Sequence, residues 1–243
     1  GVVAGFVNTL AGGGSFLTLA ALELAGLPGA LANGTNRVAV LVQNVSAVLG
    51  FRRKGLSDIK TSVLFSIPAV LGAVLGATLV VNLNEDVFHK LLAAAMAIML
   101  VTIFIDPKRL AKNREFKMTP ARIAVACVVF FAIGVYSGAI QAGVGFFIIA
   151  AVVLITGLDL VQTNVHKVFI IGATTVVALL IFASQGKVDW LYGLFLAIGN
   201  GTGAWIGSHA AVKGGEKLVK IVLAIMLVVL IVRYLGIIPG FSE

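Results

Sequence analysis

The sequence predicts an all-α integral membrane protein. It reads as two repeats of four to five segments each, inverted relative to one another, with discontinuous, Gly-broken helices at the membrane midplane. Composition, run length and an internal duplication predict it. Of 243 residues, 60% are hydrophobic and 12% charged, with a mean hydropathy of +1.09. A soluble domain is about half apolar and about a quarter charged, so a soluble enzyme, a nucleic-acid binder and a disordered tail are excluded. A pass through ~30 Å of hydrocarbon takes about 20 helical residues, which leaves room for roughly eight to ten passes. The apolar stretches are continuous rather than alternating, which excludes a transmembrane barrel.

In chain order, residues 1–26 are apolar but interrupted by Gly12-Gly13-Gly14-Ser15, and a second run, 38–51, ends at Arg52-Arg53-Lys54-Gly55. Runs 61–83 and 87–105 follow. The basic stretch from Asp106 to Arg122 is the longest polar segment and the natural boundary. Beyond it lie 121–157, interrupted near Gly143-Val144-Gly145, then 165–183, 188–212 and 218–235. The organisation expected is a first membrane repeat over 1–105, a basic cytoplasmic linker over 106–120, a second repeat over 121–236 and a tail over 237–243.

The two halves repeat each other at a separation of 131 residues. Ala11, Gly12, Gly14 and Phe16 fall on Ala142, Gly143, Gly145 and Phe147, and Gly26-Leu27 falls on Gly157-Leu158. Phe51, Gly55 and Asp58 fall on Phe182, Gly186 and Asp189, and Gly72, Ala73 and Gly76 on Gly203, Ala204 and Gly207. A one-residue slip aligns Arg37-Val38 with Lys167-Val168. Small residues recur by chance in a Gly-rich chain, but ordered matches of Phe, Asp and basic positions indicate duplication.

Segments 15–26 and 146–157 would extend only ~18 Å as helices, too short to cross unaided. If each break reverses the chain, each half crosses an odd number of times and the halves are inverted; if not, they are parallel. The inverted arrangement gathers more of the 18 Lys and Arg on one face, whereas the parallel one strands Lys213, Lys217 and Lys220 on the other. The positive-inside rule therefore favours inversion. The same rule, with anionic lipid, accounts for the net charge of +8 without a nucleic acid.

Backbone that breaks a helix at membrane depth is tolerated only where protein, water or a ligand satisfies it. Gly12, Gly13, Gly14 and Ser15, and Gly143 and Gly145 with Gln141 before them, therefore mark candidate sites, one per half. Each precedes an apolar stretch and so presents a half-helix N-terminus, which suits an anion. The competing reading is that these glycines only allow close packing, which is the preferred one for Gly72, Gly76, Gly203 and Gly207. At the mouths of the following runs stand Asn33, Thr35, Asn36 and Arg37 in the first half, and Thr163, Asn164, His166 and Lys167 in the second. One cation per half beside amide and hydroxyl donors complements a small oxyanion; the alternative is that Arg37 and Lys167 snorkel to the interface. Gln43, Asn44, Thr174 and Thr175 are buried polar residues with either role. Glu23 is a candidate proton carrier, Asn200 and His209 are weaker site candidates, and His89 reads as a loop residue. Single Cys127 and the scattered His and acids form no metal or hydrolytic pattern, so no cofactor is expected. The nucleotide-binding pattern GxxxxGK[ST] is absent, so a proton gradient or the membrane potential is the expected driving force.

At these residues the chain resembles the sulfite exporter TauE/SafE family. The resemblance rests on the opening Gly5-Phe6-Val7-Asn8-Thr9-Leu10-Ala11-Gly12-Gly13-Gly14-Ser15-Phe16-Leu17-Thr18, on Gly26-Leu27-Pro28, and on Ala32-Asn33-Gly34-Thr35-Asn36-Arg37. It continues through Phe51-Arg52-Arg53-Lys54-Gly55, Gln141-Ala142-Gly143-Val144-Gly145-Phe146-Phe147 and Thr163-Asn164-Val165-His166-Lys167, so it spans essentially the whole chain. It implies a multi-pass exporter of a small sulfur anion such as sulfite, thiosulfate or a sulfonate, in the inner (cytoplasmic) membrane. An anion channel or a carrier of a non-sulfur organic anion is the alternative. The expected partners are a small inorganic or organic anion and lipid; homo-oligomerisation is left open.

Overall fold

Chain embedded in hydrocarbon must close its backbone hydrogen bonds internally, and long apolar runs do so as helices. The structure, a computed structural model, describes residues 1–102 and 119–210 together with Val228, Ile231 and Val232. Every regular element among the described residues is helical. The helices are α1 (Val2–Ala11), α2 (Gly14–Leu24), α3 (Gly29–Arg53), α4 (Ile59–Val80), α5 (Glu85–Thr102), α6 (Pro120–Ala139), α7 (Val144–Thr156), α8 (Leu160–Ser184) and α9 (Trp190–Ala210). Among them α4, α6 and α8 are long and apolar enough to cross a membrane. Helices α2 and α7, of 11 and 13 residues, extend only ~17 and ~20 Å. Most of the basic linker, the run 218–235, the tail 237–243 and Lys213, Lys217 and Lys220 lie outside the described residues, Val228, Ile231 and Val232 excepted.

Local chemistry sets the boundaries. The Asp58 carboxylate accepts from Thr61 N ahead of α4, Asp159 from Val161 N and Gln162 N ahead of α8, and Asp189 from Tyr192 N ahead of α9; each satisfies amides that have no partner within the helix. The chain turns on glycines in the left-handed region: Gly12 and Gly143 (φ 88° and 77°), Gly26 and Gly157 (90° and 72°), Gly55 and Gly186 (74° and 66°). Each of these pairs is 131 residues apart. The same separation carries the bounds of α3 onto those of α8, both 25 residues long.

Close packing fixes helix directions. A Cβ on Gly72 or Gly76 would run into the carbonyls of Phe131 and Val135, and one on Gly134 or Gly138 into those of Ala69 and Ala73, so α4 and α6 run side by side in one direction. Gly203 and Gly207 meet Val2, Phe6 and Thr9 in the same way, so α1 runs with α9. The packing reading of these glycines is what the contacts show. Gly14 abuts the Ala4 carbonyl and Asn8, which places the head of α2 beside α1 and folds the chain back on itself. The end of α3 and the start of α8 wall one cavity, of about 310 Å³, with Gly55, Asp58, Gln162 and His166. The start of α3 and the end of α8 wall another, of about 270 Å³, with Pro28, Leu31, Glu85 and Lys187.

Two expectations are corrected. Helix α3 begins at Gly29 and α8 at Leu160, so Asn33 to Arg37 and Thr163 to Lys167 lie within helices rather than at their mouths. Polar side chains lower the hydropathy of those turns without ending the helix. His89 stands in the first turn of α5, headed by Asn84, which accepts from Val87 N; it is not a loop residue.

Candidate functional site

The two glycine breaks touch. A Cβ on Gly12 would lie 2.9 Å from the Gly145 Cα, and one on Gly145 2.8 Å from the Gly12 Cα. The heads of α2 and α7 therefore meet, bringing two positive helix ends together. Within those first turns Phe16 N bonds to Gly13 O, Val144 N to Gln141 O and Phe146 N to Gly143 O. The amides of Gly14, Ser15 and Gly145 have no residue four positions back inside the helix to bond to. Gly12 and Gly143 carry the left-handed torsion, whereas Gly13, with φ −100° and ψ 0°, adopts a conformation open to any residue. Gln141 is the one described non-glycine residue with positive φ, at 64°. It is buried, donating to Thr175 Oγ1 at 2.5 Å.

Both conserved-in-place cations of the two halves are buried within the fold and face negative helix ends. Arg37, fully buried, donates to Ser137 O (3.2 Å), Gly138 O (2.5 Å) and Ala139 O (3.4 Å) at the end of α6, and stacks over Phe182 at 4.7 Å. Asn33 Nδ2 joins it on Ala139 O at 2.7 Å. Lys167 Nζ donates to Thr9 O (2.8 Å) and Asn8 O (3.4 Å) at the end of α1, and its Cδ would be 3.3 Å from a Cβ on Gly145. Each cation thus clasps the C-terminal carbonyls of the other half's broken helix. That offsets the partial negative charge those ends would project toward the break. Snorkelling to an interface does not describe either residue. In the 131-residue register Lys167 matches Asn36 rather than Arg37; α3 and α8 have equal length, so no insertion accounts for the slip.

A polar network surrounds the first break. Asn8 Nδ2 donates to Ser15 Oγ and to Gln43 Oε1, both at 3.1 Å, and Asn200 Nδ2 donates to the same Gln43 oxygen at 3.4 Å. Thr18 Oγ1 donates to Asn36 Oδ1 at 2.6 Å, while Asn36 Nδ2 and Arg37 Nε are buried donors without a partner among the described residues. Beside the second break Ser137 and Thr174 hydroxyls pair at 2.9 Å. Asn8, Thr18 and Ser137 were not singled out from sequence; their signal is a polar residue in an apolar run within a turn or two of a glycine break.

Other candidates lie elsewhere. Thr35 Oγ1 accepts from Asp189 N at 2.9 Å, joining α3 to the turn before α9. His166 turns away from Lys167 and pairs through Nδ1 with Ser62 Oγ at 2.8 Å, at the wall of the 310 Å³ cavity. Thr163 and Asn164 are buried, with Thr163 Oγ1 and Asn164 Oδ1 unpartnered among the described residues. Asn44 Nδ2 bonds its own helix at Val40 O, and His209 Nδ1 contacts Trp205 O. Glu23 lies 3.5 Å from His89 Nε2. At the cavity mouth the hydrogen bond from Thr61 holds the Asp58 carboxyl below its ordinary pKa.

A family model described as sulfite exporter TauE/SafE matches residues 1–234. The chain belongs to the TauE/SafE family. Within reach of this TauE/SafE protein are curated relatives named as transporters. It is 30% identical over 234 residues to a probable membrane transporter protein, ORF9, of Sinorhizobium sp, covering 96% of this chain and 89% of the relative. It is 30% identical over 240 residues to the probable membrane transporter protein YfcA of Escherichia coli K12, covering 96% and 86%. A probable membrane transporter protein of Haemophilus influenzae is 26% identical over 226 residues, covering 93% and 88%. No solved structure matches the TauE/SafE chain. Family and relatives alike are named for transport, not for catalysis.

Proposed function

We propose that the protein is a secondary transporter that exports a small sulfur-containing anion, such as sulfite, thiosulfate or a sulfonate, across the inner membrane. The observation that carries this reading is the contact between Gly12 and Gly145, which joins the heads of α2 and α7. The anion is held there, near the midplane, by amides of Gly14, Ser15 and Gly145 and by the unpartnered Asn36 and Arg37 donors. Hydrogen bonds to a charged ligand are each worth about 1.5–3 kcal/mol, so a few such donors suffice for micromolar binding. Arg37 and Lys167 act mainly by covering the carbonyl ends of α6 and α1, leaving the positive ends of α2 and α7 to dominate the field at the break.

Inversion of the two repeats is supported by helix direction and by the cavities. Helices α4 and α9, equivalent at 131 residues, start at opposite cavities, and their partners α6 and α1 follow them. A parallel arrangement would put residues 55–58 and 186–187 on one face, but they wall different cavities. Alternate opening of these two cavities to a shared central site, driven by a proton gradient or the membrane potential, is how such a fold transports. The test is flux of thiosulfate, sulfite and an aliphatic sulfonate into proteoliposomes. Saturable flux with counterflow supports a carrier of these anions; unsaturable flux supports a channel, and a response to carboxylates alone supports a non-sulfur substrate.

A further inference from the structure

His166 is buried at 1% exposure, lies away from the breaks and has no part in the site as built so far. Its surroundings settle its protonation geometry. Ser62 has one hydroxyl proton and donates it to the Asp58 carbonyl at 2.7 Å. The Ser62 oxygen that faces His166 Nδ1 at 2.8 Å is therefore an acceptor, and Nδ1 carries the ring proton. That leaves Nε2 with its lone pair as the nitrogen able to take a second proton, on a side chain that walls a cavity of about 310 Å³. Phe65 packs edge-on at 6.3 Å and holds the ring.

The charged groups facing this position are few. The 310 Å³ cavity and the adjoining one that reaches Ser62 and Val165 are lined by Arg52 from α3, Asp58 from the start of α4 and His166 itself from α8. Asp58, kept ionised at neutral pH by the Thr61 hydrogen bond, favours an imidazolium; Arg52 opposes it. Lys167, the next residue, points the other way to the end of α1 beside Gly145. One turn of α8 therefore presents a proton acceptor to the cavity and a cation to the break.

We propose that His166 is the proton-binding group linked to anion occupancy: a proton from cavity water binds Nε2 as an anion binds at the glycine breaks, and leaves when the anion leaves. The inference rests on the anion reading of the breaks. A unit charge ~10 Å away at an effective dielectric near 20 shifts binding on the order of tenfold. An anion at the break raises the proton affinity of His166, and by reciprocity the anion binds tighter as pH falls through the histidine range.

The test is calorimetric titration of thiosulfate and of methanesulfonate, which do not titrate between pH 6 and 8, in buffers of different ionisation enthalpy. Wild-type protein should take up a fraction of a proton per anion near pH 7 and bind on the order of tenfold tighter at pH 6 than at pH 8. His166→Gln should still bind but take up no proton and lose the pH dependence. Asp58→Asn should keep the uptake and move its midpoint to lower pH. Uptake unchanged in a monodisperse His166→Gln protein, or a midpoint unmoved in Asp58→Asn should His166→Gln fail to fold, overturns the assignment. Binding of neither anion by wild-type protein overturns instead the anion reading beneath it.

Discussion

The two glycine breaks occupy equivalent places in the chain but are built differently. In the first, α1 runs to Ala11 and two residues, Gly12 and Gly13, separate it from α2. In the second, α6 stops at Ala139 and four residues, Ile140 to Gly143, lead into α7, with Gln141 forced to positive φ. A Cβ on Gly12 would meet backbone of the opposite break, whereas one on Gly143 would meet the ends of two side chains, Met99 Cε and Phe16 Cε2, both at 2.8 Å. The first break is walled by main chain, and the second by side chains able to shift. Shared ancestry of pattern does not make the two half-sites equal: the first sets how closely α2 and α7 approach, and the second has room to adjust.

The largest expected effect breaks that comparison directly. Gly12→Val places a branched side chain against Gly145 at a torsion that disfavours it, by roughly 1–2 kcal/mol before any clash. It should abolish thiosulfate binding, a loss of more than about 100-fold, in protein that remains inserted and monodisperse. Gly143→Val shares the torsional cost but displaces only Met99 and Phe16, so binding should fall about tenfold. Gly13→Ala, at φ −100°, should change binding by less than about threefold. Equal losses at Gly12 and Gly13 would mean that the break tolerates no side chain anywhere and that the backbone contact is not what matters.

Next in size are the cations. Arg37→Gln leaves three carbonyls of α6 without their charged donor, and Lys167→Gln leaves two of α1. With charged hydrogen bonds worth about 1.5–3 kcal/mol net, the losses of stability should be about 3 and about 2 kcal/mol, read as thermal unfolding in detergent. Anion affinity should weaken by only about fivefold in each, since the effect is carried through the helix ends. A loss of affinity of 100-fold or more with unchanged melting would show direct contact with the anion instead.

The smallest effect concerns Gln141. Its positive φ costs about 1 kcal/mol and its Thr175 hydrogen bond returns a similar amount. Gln141→Gly should leave melting within about 1 kcal/mol of wild type, whereas Gln141→Val, which keeps the strain and loses the bond, should cost about 2–3 kcal/mol.

Much of this was legible in the residues. The 131-residue duplication and the breaks were readable because a left-handed torsion selects glycine at Gly12, Gly26 and Gly55 and again at Gly143, Gly157 and Gly186. The starts of α3 and α8 were not readable from hydropathy. Asn33, Asn36, Arg37 and Lys167 look like loop chemistry until the carbonyls and the hydroxyl that satisfy them are seen on α6, α2 and α1. His166 and Lys167 were grouped because they are adjacent, yet successive helical residues point about 100° apart, and one faces α4 while the other faces α1. The clasp of each half on the other's broken helix is a long-range contact that periodicity does not encode.

The central claim is that the anion sits where the two breaks meet. Selenite is a close mimic of sulfite, and selenium can be located by its anomalous scattering in crystals grown with it. The account predicts one selenium peak within hydrogen-bonding range of amides at the heads of both α2 and α7, between Gly14-Ser15 and Gly145. A peak confined to either end cavity, beside Asp58 and His166 or beside Glu85 and Lys187, with the breaks empty, would contradict it.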